Sequence, residues 1–282
     1  MTSPLVLELR HHTGFDYAEP VTTSYNEARM TPVSEPGQLV RRSRLHIDPA
    51  VAQGRYTDYF GTEVISFEIT EPHRRLVVEA TSLVERRVSP IDHAVESSVL
   101  DLATTQDRFV EYLTPTTRSA IAQEVIDAVK VGASRQDLHQ LAEHVAEFVR
   151  ASMTYLPGAT SVSSTAQQAW DRQAGVCQDM THVTVGLLRS LGVPTRYVSG
   201  YLYSETTVVP GLTISGESHA WIEYWSGEWT GIDPTNGLRE SERHVIVARG
   251  RDYDDVPPLK GVYDGLGSTR LGVEVEMTAH PS

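Results

Sequence analysis

The sequence predicts an α+β protein: an antiparallel, sandwich-like β unit over residues 1–100, then a mixed unit over 101–282 with helices first and strands after. Three observations predict it. The first hundred residues carry strand-length runs rich in Val, Ile, Phe, Tyr and Thr, divided by Pro/Gly punctuation such as SEPG and DYFGT. Helix-compatible segments opened by Ser or Thr follow them. The last third returns to short strands set about turn residues.

In chain order, LVLELRHHTGFDY, SRLHIDPAV, EVISFEIT and RLVVEATSLVERRV are the first strands, each in partly alternating order. Between about Ser89 and Thr117 the pattern dissolves, with a boundary placed near Asp101 and a stop at Leu113 to Pro115. Helices are expected over Thr117–Val131 and Ser134–Ser152, each with its first hydroxyl residue as N-cap. A polar loop, TYLPGATSVSST, precedes a helix opening at Cys177, and Thr195–Tyr203 is a strand. Ser204–Ser218, rich in Thr, Gly and Pro, is either a rim of a substrate cleft or a plain connection. SHAWIEYW and EWTGID then flank a Ser226-Gly227 turn, and the tail regains strand character.

Composition excludes several classes. A net charge of −13, with 24 Lys+Arg against 37 Asp+Glu and no basic segment, argues against nucleic acid or an anionic membrane as partner. One cysteine excludes an internal disulfide framework and a multi-thiolate zinc site, so neither metal nor cofactor is expected. MTSPLVLELRHHTG meets a charge at Glu8 without a basic segment and long apolar run, and no stretch of about 18 apolar residues occurs. The expected compartment is the cytoplasm.

That cysteine, Cys177, has two readings. On a helical wheel Met180, Val183, Thr184, Leu187, Leu188 and Leu191 form an apolar stripe with Cys177 at its edge, while Asp179 and His182 fall away. A small buried residue fits that position. Its place at the helix start points the other way, to a nucleophile, because the free N–H groups and positive dipole end of a helix N-terminus stabilise a thiolate and an oxyanion.

A base must come from elsewhere. His182, about 140° around the helix from Cys177, is out of reach and is a structural histidine. His219, Trp221, Glu223 and Trp225 share one strand face, and pairing about Ser226-Gly227 brings His219 within one or two positions of Asp233. A carboxylate there would orient the imidazole. Asp233 equally suits the turn Asp-Pro-Thr-Asn-Gly. Trp221, Trp225 and Trp229 are either an aromatic wall of the site or core.

At GVCQDMTHVTVGLLRSLGVPTRYVSGYL, SHAWIEYW and GIDPTNG the chain resembles the transglutaminase-like superfamily of papain-like thiol enzymes, in its bacterial branch. YLPGATSVSSTA and GRDYDDVPPLKGVY extend the likeness, and FDYAEPV, NEARMTP and DYFGT resemble the N-terminal β region of bacterial members. The resemblance implies a papain-like core whose central nucleophile helix packs on an antiparallel sheet. It implies Cys177 as nucleophile, His219 as base and then acid, and Asp233 as orienting residue, with a protein or peptide substrate. The second oxyanion or substrate contact is left between the Cys177 N–H, Tyr155 and Trp221. The implied activity is amide hydrolysis through a thioester, with transfer to an amine and catalytically silent binding as alternatives.

Overall fold

Strict alternation makes His73–Arg86 the spine of the first sheet: Leu76, Val78, Ala80, Ser82, Val84 and Arg86 point inward and are buried. In the computed structural model, which describes residues 4–88, 94–134, 137–216 and 218–281, this strand lies between Leu5–Val21 and Gln38–Asp48. Both pairings are antiparallel. A four-stranded sheet of Leu259–Asp264, Thr23–Ala28, Glu63–Ile69 and Gln53–Thr57 faces it, and Leu45, Ile47, Ile65, Phe67, Leu76 and Val78 fill the space between. The sandwich expected from the first hundred residues is therefore present.

Two of its strands carry no legible apolar alternation. Thr23–Ala28 turns Ser24 and Asn26 inward, satisfied by a hydrogen bond from Asn26 Nδ2 to Ser24 Oγ at 3.1 Å. Gln53–Thr57 is exposed throughout and holds its place as a sheet edge.

Pairing crosses the boundary expected near Asp101. The tail strand Glu274–His280 pairs antiparallel with Leu5–Val21, and Leu259–Asp264 pairs with Thr23–Ala28. Thr213–Gly216, inside the expected Ser204–Ser218 loop, extends the same sheet by pairing with the tail. The buried face of the tail, Val275, Met277 and Ala279, joins Leu5, Leu7 and Leu9 in one core with Tyr197, Tyr201 and Val245. That shared core docks the sandwich onto the second unit.

The second unit is built on a five-stranded antiparallel sheet in the order Leu238–Arg239, Trp229–Asp233, Ser218–Trp225, Thr195–Leu202, His244–Gly250. Cys177–Ser190 packs on it, with the helices Leu138–Ser152 and Ala166–Arg172 against its other sides. This helix is buried all round, not along a single stripe: Asp179 and His182 are as inaccessible as Leu187. The polar side is covered because the chain returns over it at Thr160 and Tyr253.

Helix starts differ from those expected. Two short helices, Ala103–Arg108 and Val110–Leu113, occupy the segment where no pattern was legible, and the first of the expected helices begins only at Gln123, after a turn in which the Ala120 N–H donates to the Thr116 carbonyl. The second is Leu138–Ser152, capped by the Asp137 carboxylate rather than by Ser134; residues 135 and 136 lie outside the described set, as do Ser89 to His93 of the expected boundary segment. Ala166–Arg172 opens on a reciprocal cap between Thr165 and Gln168, a T-x-x-Q signal present in the sequence.

Candidate active site

The residues before Cys177 fix where its helix starts. Ala174–Gly175 pairs in parallel with Thr154–Tyr155, Val176 is extended, and Cys177 is the first helical residue. Asp179 reaches back to accept the Val176 N–H at 2.8 Å and the Thr160 hydroxyl at 2.6 Å. Burial raises the Asp179 pKa, against both of those hydrogen bonds.

His219 and Asp233 come from the hairpin in the expected register. Trp225 pairs with Trp229 and Ile222 with Ile232, and Gly227 takes the positive φ of 93° that the turn requires. At the open end His219 donates its Nε2–H to Asp233 Oδ2 at 2.7 Å. Cys177 lines the same cleft as the ring and lies close enough to raise its pKa. Since Asp233 takes Nε2, the nitrogen left to the thiol is Nδ1.

Electrostatics follow from this stacking of partners. Burial alone would lower the His219 pKa, but the hydrogen bond to Asp233, the nearby Cys177 and the charges of both lift it to about 10. For Asp233, burial raises the pKa and is outweighed by the hydrogen bond and charge of His219, with the nearby His244 ring and the Asn236 amide adding to them, which holds the carboxyl below the usual carboxylate range.

The two readings of Asp233 are both realised. Its Oδ1 accepts the Thr235 and Asn236 N–H groups at 3.0 and 3.2 Å, while Oδ2 faces His219 and accepts from Asn236 Nδ2 at 2.7 Å. One carboxylate closes the turn and orients the ring. His244, which the sequence did not single out, adds its Nε2 at 3.5 Å from the same oxygen. Its Nδ1 accepts the Ser241 N–H, which places the ring proton on Nε2.

Cys177 and His219 open into a cleft of about 400 Å³, lined also by Tyr155, Gln178, Tyr197, Tyr253 and Val273. Among the described residues that line it, none is Asp, Glu, Lys or Arg. Tyr155 stands at the mouth, half exposed, where a substrate can meet it. Of the Ser204–Ser218 segment Ser218 reaches the cleft; Glu217 lies outside the described residues. Tyr197 and Ser199 share a strand face two residues apart, a signal present in TRYVSGYL.

Trp221 is not a cleft residue. It is fully buried, lies near-parallel to the His219 ring with centroids 6.1 Å apart, and donates its indole N–H to Glu240 Oε2 at 3.0 Å. Nor do Trp225 and Trp229 form a wall there: they pack on each other and on Phe109 and Tyr112. Large rings gain more by burial against other rings than by lining a neutral cleft. His182 is structural, as expected. It accepts the Tyr253 N–H at 3.2 Å, and burial pushes its pKa down to about 3.

Among the described residues no group of three His, Cys, Asp or Glu side chains is arranged to hold a metal ion. A wider groove of about 830 Å³ crosses the four-stranded sheet, lined by Tyr25, Glu68, Lys260 and Val262 among others; it contains neither thiol nor imidazole.

Comparison with known proteins identifies the family and the fold. Residues 7–85 match the family model of the bacterial transglutaminase-like N-terminal region, and residues 121–234 that of the transglutaminase-like superfamily. An uncharacterized protein of Mycobacterium leprae (strain TN) is 41% identical over 269 residues, covering 95% of this chain and 96% of its own. A protein-glutamine gamma-glutamyltransferase of Pseudomonas aeruginosa is 33% identical over 86 residues, 29% of this chain and 13% of its own. In fold, the crystal structure of a candidate cysteine protease from Cytophaga hutchinsonii matches with a TM-score of 0.79 at 17% identity, covering 100% of this chain and 92% of that one. The chain belongs to the transglutaminase-like superfamily, with the bacterial transglutaminase-like N-terminal region ahead of its core.

Proposed function

We propose that the protein is a cysteine-dependent amide hydrolase acting on a protein or peptide. The observation that carries this reading is the run of contacts from Cys177 through His219 to Asp233 at the floor of an open cleft. With its pKa raised, His219 is an imidazolium at neutral pH, the charge needed to balance the Cys177 thiolate that this mechanism requires. The thiolate sulfur attacks the amide carbonyl carbon, and the carbonyl oxygen becomes an oxyanion beside the helix N-terminus. The Cys177 N–H and the Tyr155 hydroxyl are its candidate donors. His219 then gives its Nδ1 proton to the leaving nitrogen as the C–N bond breaks, leaving a thioester. Water, deprotonated by the now neutral ring, cleaves the thioester and releases the acid.

The neutral lining favours uncharged side chains around the scissile amide, and the exposed mouth at Tyr155 and Val162 gives water a path to the thioester. Transfer to an amine is the competing outcome, favoured by the stretch of similarity to the Pseudomonas aeruginosa gamma-glutamyltransferase. Incubation with a glutamine-containing peptide and an amine probe, followed by mass spectrometry, separates them. Hydrolysed product is expected, and amine incorporation exceeding hydrolysis overturns the order. A thiol that alkylates at pH 6 no faster than a free cysteine would make the protein a silent binder instead. The proposed compartment is the cytoplasm, on the sequence reading; recovery outside the inner membrane on fractionation would contradict it.

A further inference from the structure

Arg86 breaks the pattern of its own strand. The inward face of His73–Arg86 runs Leu76, Val78, Ala80, Ser82, Val84 and then places a guanidinium where the alternation calls for an apolar side chain. That guanidinium is 3% exposed, in a unit that carries none of the catalytic side chains. Its partners explain why. It donates to the His244 carbonyl at 2.6 Å, to the Gly37 carbonyl at 3.2 Å, and pairs with the Glu240 carboxylate.

Two of those partners, Glu240 and His244, lead to the candidate site. Glu240 accepts the Trp221 indole N–H, and the indole lies over the His219 ring and edge-on to His244 at 5.2 Å. His244 faces Asp233. The core unit is carved to seat this chain of contacts. A Cβ on Gly231 would come within 2.2 Å of Glu240 Oε2, and one on Gly200 within 2.7 Å of Trp221 Cη2 and 2.0 Å of the Val245 carbonyl. Gln38, also from the sandwich, grips the same strand as His244: its amide accepts the Ile246 N–H at 2.8 Å and donates to the Ile246 carbonyl at 2.7 Å.

We propose that Arg86, Glu240 and Trp221 are positioning residues for the His219–Asp233 pair, so that the N-terminal β unit is a working part of the active site. The inference rests on Cys177 and His219 acting as the nucleophile and base. Arg86 fixes Glu240, Glu240 fixes the plane of Trp221, and the indole limits the tilt of the imidazole while keeping water off its hydrogen bond to Asp233. Through the His244 carbonyl the same guanidinium anchors the residue that supports Asp233 from the other side.

The test is the pH profile of Cys177 alkylation by iodoacetamide in the full-length protein, measured for wild type, Trp221→Phe, Glu240→Leu and Arg86→Met, with thermal unfolding as the control on folding. This readout needs no substrate. A mere packing role would lower the melting temperature and leave the profile of the folded protein in place. Mispositioning of the ring should instead slow alkylation at pH 6 by about tenfold or more and move the alkaline limb toward that of a free thiol. Trp221→Phe keeps an aromatic ring and removes the indole N–H, so it decides the matter should Arg86→Met fail to fold. Folded Trp221→Phe and Glu240→Leu proteins with the wild-type profile overturn the proposal. A wild-type thiol no more reactive at pH 6 than a free one overturns the nucleophile reading and this inference with it; a reactive wild type with unchanged variants sinks this inference alone.

Discussion

Asp233 holds the Nε2 of His219 at 2.7 Å with one carboxylate oxygen and the N–H groups of its own turn with the other. Turn formation and ring orientation are thus tied to one side chain, and they can be separated by substitution. Asp233→Asn keeps an oxygen for the turn and removes the charge that the imidazolium faces. Activity should fall by roughly 10²–10⁴ in kcat with the fold intact. Asp233→Ala should lose the turn as well, costing a further ~1–3 kcal/mol of stability, read by denaturant unfolding.

The same pair predicts how stability depends on pH. The pKa of His219 is raised on folding, to about 10 from an unfolded value near 6.5, so the folded state binds the proton more tightly. The stabilisation is complete below about pH 6.5 and is lost as pH rises toward 10. Wild type should therefore lose melting temperature between pH 7 and pH 10 more steeply than Asp233→Asn, whose ring lacks the stabilising charge. Parallel slopes for the two proteins would show that the pair does not titrate this way.

Cys177 sits half-buried at the edge of the apolar core, so Cys177→Ala removes little packing. Peptide hydrolysis should drop by a factor on the order of 10³ or more, while the melting temperature moves by only a few degrees. Residual activity near wild type would place the chemistry elsewhere.

At the helix start, Asp179 is held by the Val176 N–H and the Thr160 hydroxyl. Asp179→Ala leaves both donors without that acceptor and should destabilise the protein by ~1–2 kcal/mol. Alkylation of Cys177 should slow as its helix end loosens, measurable by stopped-time labelling and mass spectrometry.

Residues 101–282 carry Cys177, His219 and Asp233, yet a fragment of them would present Leu259, Val275, Met277 and Ala279 without the strands that cover them. It is expected to be insoluble or to lack cooperative unfolding, and within the whole chain Met277→Ala should cost ~2–4 kcal/mol. A soluble, cooperatively unfolding fragment would contradict this.

The sequence by itself determined the local chemistry: strands where Val, Ile and Phe alternate, a helix opening at Cys177, and a hairpin whose register carries His219 to Asp233. Those features depend on neighbours in the chain, on periods of two and 3.6 and on turn residues, so they are legible without a fold. The tertiary structure alone decided the rest. That Trp221 lies behind His219 rather than in the cleft follows from Gly200 and Gly231 leaving room for it and for Glu240. That Arg86 points inward is visible in the alternation, but its reason, His244 and Glu240, stands more than 150 residues away. The tail strands look like any others in sequence, since apolar alternation states that a face will be buried and not against which sheet. Only long-range pairing with Leu5–Val21 and Thr23–Ala28 assigns them to the sandwich.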